Sequence, residues 1–280
     1  MLISVDDLFA RQQRGERVRI LDVRWRLDRP DGRDDVAAGH IPGAVYVDLE
    51  SQLAGHGDPT DGRHPLPTRE DLEAAARSWG LDDGDPVVVY DDLGGMSAAR
   101  AWWLLRHHGV EDVRILDGAF AAWRAAGLPV DEGVVVPPRG SITLTEGSAP
   151  VVGIDAVGSV PERGVLIDAR AAERYAGDVE PIDPRAGHIP GAVSAPTVGN
   201  LASDGRFLPP DALRERFGTA GIDDGSEVAV YCGSGVTAAH TIAALAVAGI
   251  DASLFPGSWS AWSNHPDRPV ATGHVPGSAH

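Results

Sequence analysis

The chain has 280 residues, a formal charge of −17 from 24 basic and 41 acidic side chains, and 43% hydrophobic residues. That length and apolar content suit two domains with proper cores, and the acidity argues against nucleic-acid and anionic-membrane partners. A single cysteine, Cys232, excludes an intrachain disulfide framework and a zinc site built from cysteines, and fits a reducing compartment.

From the N-terminus, Met1 to Asp7 show no basic region before an apolar run, so no signal peptide is expected and a cytoplasmic location follows. Apolar periodicity predicts helices over residues 5–14, 69–79, 98–107 and 119–126, interleaved with strands over 18–23, 45–47, 87–90 and 113–116. Residues 131–150, with Pro137-Pro138, Gly140 and Ser141, lack a helical period and read as a linker. The alternation then resumes, with strands over 165–168, 193–195, 227–231 and 252–254 and helices over 210–220, 237–248 and 259–264. The apolar stretch 241–250 is too short to span a membrane and reads as a core helix. Strands alternating with helices predict an α/β fold in which each parallel sheet carries helices on both faces.

The chain is one unit written twice. His40-Ile41-Pro42-Gly43-Ala44-Val45 recurs as His188-Ile189-Pro190-Gly191-Ala192-Val193, and Leu21-Asp22-Val23-Arg24 recurs as Ile167-Asp168-Ala169-Arg170. Gly80-Leu81-Asp82-Asp83-Gly84 recurs as Gly221-Ile222-Asp223-Asp224-Gly225, and Tyr90-Asp91 as Tyr231-Cys232. Gly118 with Trp123 recurs as Gly257 with Trp262. The expected division is a first domain over residues 1–130, a linker over 131–150, a second domain over 151–272 and a tail over 273–280.

Cys232 follows the apolar run Val228-Ala229-Val230-Tyr231 and precedes Gly233-Ser234-Gly235-Val236-Thr237 and a helix. A thiol at the end of a parallel strand and before a helix N-terminus meets backbone N–H groups that favour its anion. Glycines at 233 and 235 let the loop bend so that those N–H groups converge on one sulfur. A lone cysteine is otherwise most often a small buried hydrophobe. Thr237 suits a helix cap.

These phrases together resemble the two-domain rhodanese-like sulfurtransferases, from about Val5 to Thr272. The resemblance implies tandem rhodanese-like domains, with copy one catalytically silent because Asp91 takes the cysteine position, and Cys232 as the catalytic nucleophile. Cys-Gly-Ser-Gly-Val-Thr is similar to the 3-mercaptopyruvate branch, which implies that donor and also thiosulfate. It further implies Arg174 and Arg185 as substrate-binding residues, and Gly233, Gly235, Val236 and Thr237 as the cradle of a persulfide. Ser234 and His40 are implied as catalytic partners of the cysteine, with Asp34 or Asp35 as the acid. His40 recurs as His188, however, which equally suits a structural role in both copies. The implied acceptor is a thiol, cyanide or a thioredoxin-like protein, and neither a metal nor an organic cofactor is expected.

Three other readings compete. A thiosulfate-preferring enzyme would differ only in donor. A phosphatase on a related fold would need an arginine six residues after the cysteine, where Ala238 stands. A non-catalytic sulfur-carrier or binding module would leave the cysteine loop without a task.

Overall fold

The computed structural model describes residues 1–223 and 225–277. Asp224, in the second Asp-Asp turn, and the last three residues of the expected tail lie outside the described residues. Two compact units form: Met1–Gly55, Leu66–Ala149 and Leu201–Phe207 make the first, and His56–Pro65, Pro150–Asn200 and Leu208–His280 make the second. The repeats thus exchange a short loop each, which a single cut in the sequence does not foresee. Residues 131–149, expected as a linker, belong to the first unit. Ile142 and Leu144 are buried, Ile142 N–H donates to Leu81 O, and Ser141 binds Asp82 through both its N–H and its hydroxyl.

In the first unit the strands are β1 (Leu2–Ile3), β2 (Arg19–Asp22), β3 (Val45–Tyr46), β4 (Val87–Tyr90) and β5 (Val113–Leu116). Among the described residues they form one sheet in the order β1-β5-β4-β2-β3, with parallel pairings. β4 is buried at every position, as expected of a central parallel strand covered on both faces. In the second unit β6 (Gly164–Asp168), β7 (Val193–Ser194), β8 (Glu227–Tyr231) and β9 (Ser253–Leu254) run parallel in the order β7-β6-β8-β9. Position for position this is the first sheet again, and Val151 bridges Leu254 at the edge where β1 sits in the first unit.

The repeat extends to side-chain detail. Arg24 grips Asp22 (Nε–Oδ1 3.0 Å, Nη2–Oδ2 2.6 Å) and Arg170 grips Asp168 at the same two distances. Their Nη2 groups reach Gly39 O and Gly187 O, both at 2.6 Å, and each guanidinium lies 4.6 Å over an aromatic ring, Phe120 or Trp259. Tyr90 OH accepts the Ile41 N–H and Tyr231 OH the Ile189 N–H, both at 3.1 Å. Ala119 and Ser258 hold positive φ angles of 56° and 54°, a left-handed state that costs a non-glycine residue energy and that both copies retain. The helix after β8 spans Val236–Val247 with Gly235 (φ 81°) as its N-cap, so Thr237 lies inside it and is not the cap that the sequence suggests.

Candidate functional site

Cys232 is buried at the carboxyl end of β8, in the second unit. The Gly235 N–H donates to its Sγ at 3.2 Å, the Cys232 N–H donates to Ser258 Oγ at 3.1 Å, and Trp259 N–H donates to Cys232 O at 3.0 Å. Ser258, with its left-handed backbone, therefore pins the peptide of Cys232. Gly235 can donate to the sulfur while opening a helix only because its φ of 81° is open to glycine. A backbone donor on the sulfur and a helix N-terminus next to it stabilise negative charge there.

The corresponding loop of the first unit shows what such a cradle can hold. Asp91 is fully buried, and its Oδ1 accepts the N–H groups of Leu93 and Gly95, both at 2.8 Å. Its Oδ2 accepts those of Ser97 at 2.7 Å and Ala98 at 3.0 Å. Burial pushes the Asp91 carboxyl above the usual carboxylate range and the four N–H groups pull against it. Gly95, four residues after Asp91, and Gly235, three residues after Cys232, each donate to the side chain at the strand end, a carboxylate in one unit and a thiol in the other.

Ser234 is buried, and its Oγ lies 2.7 Å from Nδ1 of His64, also buried. The partner expected from the sequence is His40. In the structure His40 holds the Val36 carbonyl through Nδ1 at 2.9 Å and pairs by backbone with Asp131. His188 does the same with the Tyr175 carbonyl at 2.9 Å and with Ala271. Both histidines therefore brace the His-Ile-Pro-Gly turn of their own unit, and the imidazole within hydrogen-bond distance of Ser234 is that of His64. Asp34 and Asp35 sit in the first turn of a short helix, where the Asp35 carboxylate is taken by Arg29.

Arg174 lies beside the loop that carries Cys232. A Cβ built on Gly233 would lie 3.4 Å from Arg174 Nη1 and 3.1 Å from Arg63 Nη2. Arg174 Nη2 is held by Glu180 Oε1 at 2.6 Å and by Asp183 Oδ2 at 3.1 Å, and Asp183 also pairs with Arg63. Burial pushes the Asp183 carboxyl above the usual carboxylate range, and Arg63 and Arg174 pull it back. Arg185, the second expected substrate arginine, is spent elsewhere. Its guanidinium donates to the carbonyls of Ser263 (3.0 Å), Arg268 (2.7 Å), Trp262 (2.8 Å) and His265 (2.7 Å), closing the C-terminal end of the helix Ser258–Ser263.

Arg63 and His64 escape a reading of the sequence. They sit on His56–Pro65, a segment written in the first repeat but folded into the second unit. Gly62 makes this approach feasible, since a Cβ there would meet Gly257 O at 2.6 Å. The available signal lies in a further repeated phrase, Asp61-Gly62-Arg63, which recurs as Asp204-Gly205-Arg206, with His64 standing where the second copy has Phe207.

The sequence matches the rhodanese-like domain family over residues 4–126 and 155–265. It is 50% identical to the "Putative thiosulfate sulfurtransferase SseB" of Mycobacterium tuberculosis, over 98% of this chain and 97% of that protein. It is 44% identical to the "Probable 3-mercaptopyruvate sulfurtransferase" of Pseudomonas aeruginosa, over 97% of this chain and 98% of that protein. The crystal structure of SseA from Escherichia coli, described with the "rhodanese" fold of 3-mercaptopyruvate sulfotransferases, superimposes with a TM-score of 0.81 at 34% identity, covering 92% of this chain and 98% of that one.

Proposed function

The chain belongs to the rhodanese-like family and is a sulfurtransferase, and from that premise we propose that it carries a sulfane sulfur from 3-mercaptopyruvate, and also from thiosulfate, through a persulfide on Cys232. The observation that carries this reading is the Gly235 N–H held 3.2 Å from Cys232 Sγ at the start of the helix Val236–Val247. A thiolate so placed is a competent nucleophile.

The Cys232 thiolate attacks the donor's sulfur. As the new S–S bond forms, the C–S bond of 3-mercaptopyruvate breaks and its electron pair leaves as the enolate of pyruvate. The outer sulfur keeps the donor's thiol proton. The enolate takes a proton through the Ser234 hydroxyl, which is hydrogen-bonded to His64. With thiosulfate, the S–S bond breaks and sulfite departs with the pair, so no carbon needs a proton. A thiol, cyanide or a thioredoxin-like protein then attacks the outer sulfur and returns the Cys232 thiolate. Arg174 holds the donor's anionic end. Arg185 has its hydrogen-bonding capacity committed to backbone carbonyls and is assigned no part in this scheme.

The first repeat is catalytically silent on this reading, since the Asp91 carboxylate cannot accept a sulfane sulfur and already fills its own cradle. A cytoplasmic site of action fits the single reduced cysteine. No helix among the described residues is long and apolar enough to cross a membrane.

The test is steady-state transfer from each donor to cyanide and to a dithiol, together with mass spectrometry of the protein after donor alone. The expected result is turnover with the gain of one sulfur atom on Cys232, both lost in Cys232→Ser. Turnover that survives Cys232→Ser overturns the scheme. A thiosulfate-first enzyme is the second reading, favoured by two guanidinium groups lying against Gly233. It predicts the higher kcat/KM for thiosulfate and no loss on removing His64.

A further inference from the structure

The first unit holds a cavity of about 520 Å³ beside the carboxyl end of β2, against the helix Ala119–Ala125. Phe120 lines it with the Arg24 guanidinium 4.6 Å over its ring, and Ala121 and Val130 add an apolar wall on which Val130 is 41% exposed. Two charged side chains of the lining are incompletely used. Arg24, Arg26 and Arg29 pair with Asp22, Asp92 and Asp35, whereas no carboxylate among the described residues pairs with Arg124. Asp92 Oδ2 accepts from Arg26 Nη2 at 2.6 Å, while Asp92 Oδ1 is buried and has no hydrogen-bond partner among the described residues. A carboxylate oxygen cut off from donors is costly, and the terminal torsion of an aspartate is soft enough to turn that oxygen toward an incoming one. The Phe120 N–H donates to Asp91 O at 2.9 Å, which sets Asp92 beside the first turn of the helix. Arg124 follows one turn after Phe120, about 6 Å further along the axis.

The second unit fills the corresponding place with its own chain. Trp259 replaces Phe120 under the buried arginine, and its Nε1–H donates to Arg185 O at 3.0 Å, while the Arg185 guanidinium closes the helix end. Ser263 stands at the position of Arg124 and Gly233 at that of Asp92. The first unit therefore has less bulk here and two charged groups where its twin has none. Packing alone gives no reason for that exchange, since it leaves Val130 facing water and Arg124 without a counter-charge.

We propose that this cavity is a binding site for a free α-amino acid with an apolar side chain, its carboxylate on Arg124, its ammonium on Asp92 and its body against Phe120 and Val130. The carboxylate meets the one guanidinium of the lining whose charge is unbalanced, and the ammonium supplies the donor that Asp92 Oδ1 lacks. Both groups of an α-amino acid branch from one carbon, and with a hydrogen bond at either end they cover a spacing of one helical turn. The cavity has the size and the mixed lining of a small-molecule site. It uses neither Cys232 nor the Asp91 cradle, so occupancy is independent of sulfur transfer.

The experiment titrates L-leucine and L-phenylalanine into the full chain by calorimetry and follows the NMR amide shifts of Gly39 and Ala121, which line the cavity. Saturable binding with a Kd of about 1 mM or tighter that moves those two amides is the expected result. Loss of one charge-assisted contact predicts a rise in Kd of about tenfold or more in Arg124→Ser and in Asp92→Asn. The same rise is expected for 3-phenylpropionate, which lacks the ammonium, and for phenethylamine, which lacks the carboxylate. Phe120→Trp, which puts the second unit's indole into the cavity, should block binding. Each variant is checked for a cooperative melt and for unchanged sulfur transfer, and Arg124→Ser, at an exposed position, serves if a core variant does not fold. Absence of saturable binding below about 10 mM overturns the site. Binding that survives both Arg124→Ser and Phe120→Trp overturns it as well, and its loss in Arg174→Gln would place the amino acid at the Cys232 loop instead.

Discussion

His64 Nδ1 lies 2.7 Å from Ser234 Oγ, and both groups are buried. A hydroxyl held by an imidazole is suited to pass a proton to a carbanion-like leaving group, and only one of the two donors produces such a group. His64→Ala is therefore expected to lower kcat for 3-mercaptopyruvate by about a hundredfold while leaving thiosulfate turnover within a few fold. His40→Ala should do the opposite, lowering the melting temperature through its lost bond to Val36 O while the folded fraction keeps its kcat for either donor. Equal losses for both donors in His64→Ala would remove the proton-transfer role.

The two arginines singled out in the sequence should separate in the same way. Arg174→Gln is expected to raise KM for the donor by about tenfold or more, as loss of a charge-assisted contact does. Arg185→Ala removes a donor from four backbone carbonyls, of which those of Trp262 and His265 keep a backbone N–H, and costs on the order of 3 kcal/mol. That corresponds to a fall of roughly 6–12 °C in melting temperature for a domain of this size. Calorimetry and donor KM measured on the same preparations decide both. A donor KM raised in Arg185→Ala with no change in melting would restore it to the site.

His188 supplies a pH signature. Burial holds its pKa below the ordinary histidine value, with the Tyr175 carbonyl pulling the other way. The unfolded chain therefore binds a proton more readily than the folded one. Stability attached to this group is present above about pH 6.5 and is lost as pH falls, by up to about 1.4 kcal/mol per pH unit. His188→Gln should flatten the decline of melting temperature between about pH 7 and pH 5. An identical slope in the variant would mean that other groups carry the acid sensitivity.

The architecture was legible because two signals in the sequence reinforced each other: strand and helix periods, and a repeat that set them in the same order twice. The short helices Arg33–Ala38, Leu49–Gln52, Ile154–Val157 and Ala172–Ala176 were not, since fewer than two turns give no period to read. β1, a two-residue edge strand, was missed for the same reason. At the site, Cys232, Ser234 and Gly235 could be read because the loop that joins them is local. His64 is 170 residues from Ser234, on a Gly-, Pro- and Asp-rich loop whose destination is set by the exchange between units. Arg185 shows the converse limit. Residue type marks it as an anion binder, and only the surrounding carbonyls reveal that its donors are already used. For His40 the comparison lies within the chain, because His188 makes the same two contacts in the other unit.

The Asp91 carboxylate in its ring of four N–H groups is a tethered ligand, present at an effective concentration no free anion can match. An anion titrated into this protein accordingly has one cradle to compete for, and binding should saturate near one equivalent per chain despite the doubled fold. Cutting the tether with Asp91→Gly should turn the first unit into a receptor for small carboxylates. Acetate added to that variant would then raise its melting temperature, while leaving the wild-type protein unmoved.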